Sequence, residues 1–212
     1  QDGSVLAGHT EGQGWTSNDQ GGEVDFTAPD RIALDVADLG GLSDEITIEC
    51  WVYGDPDSQP QNGTLFEGLN ANNQRVVNVH LPWGNGRVYW DCGWDGGYDR
   101  IDAQAATANY EGQWNHWAFV KNATTSVMEM YLNGVLFHSG TNKDNPIEGI
   151  ARMNLGCSGT GTNHYNGRVD DFRIWSKALD GATIAEWMNH QPTAFHPDWD
   201  DLLVDYHFDG AN

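Results

Sequence analysis

Between Leu81 and Ile101 the chain sets five aromatic residues, Trp83, Tyr89, Trp90, Trp94 and Tyr98, among Asp91, Asp95, Asp99, Arg87 and Arg100. Flat rings beside carboxylate and guanidinium groups suit a ligand that offers apolar C–H faces and equatorial hydroxyls, which is the chemistry of a sugar. Gly84, Gly86, Gly93, Gly96 and Gly97 punctuate the tract and hold these side chains on tight turns. Tyr89 and Trp90 are neighbours on a strand and point to opposite faces, so one of them packs inward. Trp83, Trp94 and Tyr98 flank glycines and are harder to explain as core. The expected ligand-binding set is Trp83, Trp94, Tyr98, Asp99 and Arg100, with His80 just upstream. At least two of the three rings should be solvent-accessible beside Arg100 or Asp99, in a groove at one edge or end of the fold.

Other chemistries find less support. The eight histidines include no H-x-x-x-H pair, which removes a zincin site. Gly156-Cys157-Ser158-Gly159-Thr160 has Thr where a nucleophile elbow requires Gly, and no α/β pattern surrounds it. No G-x-G-x-x-G or phosphate-binding loop occurs. Acidic residues outnumber basic ones 31 to 10, and a net charge of −21 repels polyanions over most of the surface. Nucleic acid and anionic lipid are therefore not expected partners. No apolar run reaches the ~20 residues that span a bilayer, so membrane insertion is not expected either. The acid excess serves solubility, or in part holds calcium, a hard cation that takes carboxylate oxygens. Asp25, Asp30, Asp205 and Asp209 are the candidate ligands, and Asp170 reads better as a hydrogen-bonded structural acid. Asp55 and Asp57, in a Pro-rich loop, read as turn formers.

The elements that must position these residues are strands. Ile46 to Tyr53 alternates, with Ile46, Ile48, Cys50 and Val52 on one face. Further strands are expected at 23–26, 31–34, 64–68, 75–81, 87–92, 115–121, 127–133, 150–157, 167–175 and 202–208. Asn133-Gly134, between MEMYL and VLF, is a hairpin signal, because a type I′ turn needs positive φ at both central residues. Residues 1–21 read as an irregular leader. One short helix is expected over Gly181–Asn189, ahead of Pro192. Strands in this number with one helix make an all-β two-sheet sandwich, read as one domain over residues 1–212. Cys50, Cys92 and Cys157 are an odd, widely spaced set that leaves room for at most one disulfide, and none is expected.

Four segments, in order, resemble the laminin G-like family of the concanavalin A-like superfamily. They are Ile48-Glu49-Cys50-Trp51-Val52, Gln113-Trp114-Asn115-His116-Trp117-Ala118, Met130-Tyr131-Leu132-Asn133-Gly134, and Gly167 to Trp175 (GRVDDFRIW) followed by Lys177-Ala178-Leu179. The resemblance implies an antiparallel jelly roll with its terminal strands near each other, so that Asp25 and Asp209 approach. It also implies a secreted or cell-surface module, lectin-like or adhesive, that binds polysaccharide, glycan or protein, often with structural Ca²⁺. His116 falls where the family places a core-facing histidine.

The same superfamily includes laminarinase-type glucanases, whose catalytic strand reads E-[ILV]-D-x-x-E. Here Glu23-Val24-Asp25-Phe26 lacks the second glutamate, and Glu45-Ile46-Thr47-Ile48-Glu49 has Thr in place of the central Asp. A retaining mechanism needs two carboxylates ~5 Å apart with distinct roles, and neither segment supplies the set. The expectation is a non-catalytic carbohydrate-binding module, with a protein-binding or adhesive module as the alternative and a glycan hydrolase third.

Overall fold

The computed structural model describes residues 14–18, 21–147 and 149–208. Its strands are β1 (Gly14–Asn18), β2 (Gly21–Phe26), β3 (Ile32–Leu34), β4 (Glu45–Gly54), β5 (Phe66–Leu69), β6 (Arg75–His80), β7 (Arg87–Cys92), β8 (Asp99–Gln104), β9 (Asn115–Asn122), β10 (Val127–Leu132), β11 (Val135–Thr141), β12 (Arg152–Leu155) and β13 (Gly167–Trp175). A single α-helix among the described residues, α1 (Gly181–Trp187), precedes the last strand, β14 (Leu202–Tyr206). The strands form two antiparallel sheets packed face to face. The larger runs β1-β2-β13-β4-β9-β10-β11, with β14 also on β13, and the smaller runs β3-β12-β5-β6-β7-β8. This is the expected jelly-roll sandwich.

Period-two alternation decides which side chains meet between the sheets. On β4, Ile46, Ile48, Cys50 and Val52 are at most 1% exposed and face the smaller sheet. Phe66 on β5 is the meeting point, edge-on to Trp90, Phe119 and Phe172 at 5.8–6.3 Å. Edge-to-face pairs at that spacing add to the area they bury. Trp90 is enclosed and its indole N–H donates to the Val120 carbonyl at 3.1 Å, so the ring's one polar atom is satisfied in the core. The β10–β11 turn has φ of 50° at Asn133 and 75° at Gly134, the double positive φ that the Asn-Gly pair permits.

The other face of β4 is polar and yet covered. Glu49 Oε1 accepts from the Trp175 indole at 3.0 Å, and Oε2 lies 3.4 Å from His116 Nε2. Arg173 Nη1 is 3.9 Å from Oε1, and the same guanidinium reaches Asp171 and Asp205. Thr47 is tied to the chain after β13, donating to the Lys177 carbonyl and accepting from the Leu179 N–H. Trp175 is then roofed by His196, whose ring stacks on it at 4.4 Å. Burial works to raise the Glu49 carboxyl, but its His116, Arg173 and Trp175 neighbours outweigh it and hold the group below the usual carboxylate range. The residues that carry the sequence resemblance are thus a buried network that pins the helix-bearing segment onto the larger sheet.

Two elements differ from expectation. Gly14–Asn18, read as part of an irregular leader, is an edge strand on β2. The rest of that leader lies outside the described residues. Asp99–Gln104 is an edge strand on β7 that the alternation did not reveal, because Ile101 is its one large apolar residue. The helix ends at Trp187, two residues short of the expected Asn189, and starts on an Asp180 cap that accepts the Thr183 N–H at 2.9 Å.

All three cysteines are free and buried. Burial pushes the Cys92 thiol up to about 12 and Cys157 up to about 11. A thiol-reactive chromogen should therefore label none of the three in the native protein and all three in guanidinium. Stoichiometric native labelling would show that the sandwich opens at one of them. Glu49→Ala should lose about 3–5 kcal/mol in urea denaturation, the cost of leaving buried charges without their partner. A loss under 1 kcal/mol would show that Glu49 does not pin the fold.

Candidate functional site

The smaller sheet leaves one face uncovered by any other sheet, and its register determines what that face carries. Ala33 pairs with Asn154, Asn154 with Glu67, Glu67 with Asn78, Asn78 with Asp91 and Asp91 with Arg100. A polar row, Asn154, Glu67, Asn78, Asp91 and Arg100, therefore crosses five of the six strands on the side away from the core, with Ala33 continuing it on β3. The next row along the strands is His80, Tyr89 and Asp102.

The centre of the first row is Asp91, which is fully buried although it lies on the outer face. Arg100 grips it with Nε and Nη2, and Arg75 reaches it with Nη1 at 2.7 Å. Arg75 is held in turn by Glu67 at 2.6 Å. Tyr98 lies against both guanidinium groups, with centroid distances of 5.2 Å to Arg75 and 5.1 Å to Arg100. The Tyr89 ring takes the same Arg100 at 4.9 Å. These are cation–π contacts on top of charge-assisted hydrogen bonds, and together they immobilise a lattice of long side chains.

Against this lattice opens a depression of about 290 Å³, lined by His80, Trp83, Asn85, Tyr89 and Arg100. The His80 ring sits 4.4 Å from Trp83 and 6.1 Å from Tyr89. Trp83 is placed by the β6–β7 turn, where its N–H donates to the Arg87 carbonyl and its carbonyl accepts the Gly86 N–H. Gly86, at φ 74°, makes that turn possible. Asn85 Nδ2 donates to the Tyr89 hydroxyl at 2.8 Å and fixes its direction. His80 is nearly enclosed, and its Nδ1 is 2.9 Å from the Gly63 carbonyl, so the proton sits on Nδ1. Burial, chiefly, holds this imidazole below its ordinary range, and Arg75 and Arg100 add to the effect. At neutral pH it is an uncharged ring.

Of the residues singled out in the sequence, the structure brings His80, Trp83 and Arg100 together in the depression and lays Tyr98, 38% exposed, beside them on Arg100. It does not bring Asp99 there. Neighbours on a strand face opposite ways, and Asp99 turns inward to an ion pair with the buried Lys121 at 2.6 Å and to the Asn145 N–H. Trp94 is half-buried and does not line the depression, and its backbone N–H goes to the Pro146 carbonyl. Asn85 was not singled out. Tyr89 was named in the aromatic tract, and of the Tyr89–Trp90 pair, one of which had to pack inward, the structure puts Trp90 in the core and so turns Tyr89 outward beside His80.

Of the calcium candidates, those among the described residues do not converge. Asp25 stands opposite Arg168 and Asp205 opposite Arg173, so five residues of β13, roughly 16 Å of strand, separate them. Asp205 is taken by Arg173 and by His207 Nε2 at 3.0 Å. Asp209 lies outside the described residues. Asp30 closes a turn with Thr27, and Asp170 is half-buried and accepts the Asp171 N–H. Asp55 is a turn former, accepting from the Asp57 N–H and the Ser58 hydroxyl. Among the described residues no three His, Cys, Asp or Glu side chains are grouped to hold a metal. The described residues alone do not fit a calcium site. The carboxylates of the glucanase-like segment are also committed: Glu45 accepts from Asn122 and from the Ala178 N–H, and Glu49 is enclosed as described. No helix among the described residues is long and apolar enough to cross a membrane.

Residues 26–185 match a laminin G family model described as the concanavalin A-like lectin/glucanases superfamily. No curated protein matches. Among solved structures, the receptor-binding domain of botulinum neurotoxin C/D mosaic serotype superposes with a TM-score of 0.65 at 16% identity, covering 82% of this chain and 44% of that one. The serotype D ligand-binding domain in complex with N-acetylneuraminic acid gives 0.65 at 16%, covering 84% and 44%. The DC binding domain in complex with rat synaptotagmin II gives 0.58 at 16%, covering 84% and 42%. This chain therefore spans less than half the length of those chains, and at such identities the likeness is one of fold.

The lattice makes a differential prediction. Asp91→Asn should cost about 2–3 kcal/mol in urea denaturation, less than a fully buried pair because solvent reaches Arg75 and Arg100. Asp102→Asn, which breaks only the half-exposed pair with Arg87, should stay within ~0.5 kcal/mol of the parent. Equal effects at the two positions would contradict a lattice centred on Asp91.

Proposed function

The chain belongs to the concanavalin A-like lectin/glucanases superfamily, and on that premise we propose that it is a non-catalytic carbohydrate-binding module. The observation that carries the reading is the depression lined by His80, Trp83, Asn85, Tyr89 and Arg100 on the free face of the smaller sheet. Its rings offer flat apolar surface, and its imidazole, amide and phenol offer directional hydrogen bonds beside it. That is what a pyranose needs, since its C–H face stacks while its hydroxyls bond sideways. The groups are held before ligand arrives, because Asn85, Gly63 and Asp91 already fix Tyr89, His80 and Arg100. Preorganised side chains lose little freedom on binding.

Binding without catalysis is supported by the same geometry. Glycoside hydrolysis needs two carboxyl groups flanking the bond to be broken, and the acids near the depression, Asp91 and Asp102, are committed to Arg75, Arg100 and Arg87. We place the module outside the cell or on its surface, as the family resemblance implies. A protein-binding or adhesive role is the second reading. It is favoured by Phe195, 91% exposed, with Trp199, Val135 and Leu136 also exposed elsewhere on the molecule.

Trp83→Ala and Tyr89→Ala should each weaken retention on a bound polysaccharide about tenfold, the scale of one stacking contact of ~1–1.5 kcal/mol. Trp94→Ala should leave retention unchanged. Affinity electrophoresis of the three variants, with thermal melts as the folding control, checks this, and loss of retention only in Trp94→Ala would move the site. Calcium has no part in the proposal, so melts in millimolar Ca²⁺ and in EDTA should coincide. A rise of several degrees with Ca²⁺ would restore a cation site.

A further inference from the structure

Resting on that reading, the depression also carries a choice of ligand. His80 is 6% exposed, with Nδ1 against the Gly63 carbonyl at 2.9 Å and the Thr64 hydroxyl at 3.3 Å. Its Nε2 has no protein partner among the described residues. It is not one of the fully enclosed polar atoms either, so it opens into the depression that His80 lines. With the proton on Nδ1, Nε2 presents a lone pair and accepts only. A nearly buried acceptor facing a cavity without a partner selects a ligand that brings a hydrogen.

The charges around it select in the same direction. Arg100 is the one charged residue in the lining, and its Nε and Nη2 are both given to Asp91. Arg75 is given to Glu67 and Asp91, and Arg87 to Asp102. Three guanidinium groups thus face three carboxylates, and no positive charge is left over for an anion. Over the whole chain, 31 acidic residues against 10 basic ones repel a polyanionic chain before it arrives. A carboxylate or sulfate group aimed at Nε2 would set acceptor against acceptor.

We infer that the site takes an uncharged sugar residue, held between Trp83 and Tyr89 through a ligand hydroxyl that donates to His80 Nε2, and that it rejects uronate, sialylated and sulfated glycans. A depression of about 290 Å³, at the small end of ligand sites, suits one ring of such a glycan, with the rest of the chain in solvent.

The test is a panel of purified polysaccharides used in affinity electrophoresis and calorimetry. The neutral arm holds β-glucans, mannans, galactans and xylans. The acidic arm holds polygalacturonate, alginate and sulfated galactan, with sialyllactose in calorimetry. At least one neutral polymer should be retained, at least tenfold more tightly than any acidic one, with retention unchanged between 50 and about 300 mM salt, since no ion pair forms. Retention of an acidic polymer that Trp83→Ala abolishes would overturn the neutral-sugar assignment and leave the carbohydrate reading standing. Retention of none of them would remove both. For His80 itself, His80→Asn keeps an amide N–H for Gly63 and removes the outward acceptor, so affinity for the retained neutral polymer should fall at least tenfold. In the parent protein the ¹⁵N resonance of His80 Nε2 should shift as ligand saturates. An unmoved resonance with ligand bound, or a folded His80→Asn variant of full affinity, overturns the hydroxyl contact.

Discussion

One carboxylate on the covered face of the larger sheet organises the molecule. Glu49 is inside protein on every side, and a charge there is tolerable only because His116, Arg173 and Trp175 surround it. Those partners come from two strands, His116 from β9 and Arg173 and Trp175 from β13, which flank β4 in the sheet. The buried charge therefore penalises any register but the native one. Its roof, the segment from Lys177 through α1 to His196, is pinned by the same face through Thr47 and the Trp175–His196 stack. The residues of the family signature are spent on this network, which explains why they say much about architecture and little about ligand.

That cover has a consequence for function. With the outer face of the larger sheet occupied around Glu49, Arg173 and Trp175, the broad face left free belongs to the smaller sheet. There the polar row from Asn154 to Arg100 is organised around a second buried acid, Asp91, which two arginines neutralise and two tyrosines shield. The two buried carboxylates do different things. Glu49 is closed off and holds the fold, whereas Asp91 lies just beneath the surface and stiffens the wall of a depression. A rigid wall of rings and satisfied charges is what a weakly interacting, uncharged ligand requires, because it has little energy to spend on ordering the site.

Much of this was legible in the sequence, and the rest has identifiable reasons. The alternation at Ile46–Val52 and the Asn133-Gly134 turn are local signals, and both appear in the structure as read. The edge strand Asp99–Gln104 was missed because edge strands bury one side at most, leaving Ile101 and the small Ala103 as its apolar anchors. That omission propagated to the site: without the strand, Asp99 and Arg100 looked equivalent, while in fact they face opposite sides of the sheet, one toward Lys121 and the other toward Tyr89. Tyr89 and Asn85 join the site through pairing of β6 with β7, which composition cannot express. Asp25 and Asp205 lie apart for the same kind of reason, since both border β13 but five residues from each other along it.

The proposed carbohydrate reading requires that ligand meet the free face of the smaller sheet and nothing else. Backbone amide chemical shifts followed during titration with a retained neutral oligosaccharide test it directly. The perturbed amides should cluster at Gly63–Thr64, His80–Tyr89 and Tyr98–Asp102, with those around Phe195, Trp199 and the β10–β11 turn unmoved. Saturable shifts confined to the Phe195 side, with the His80–Tyr89 amides silent, would contradict it.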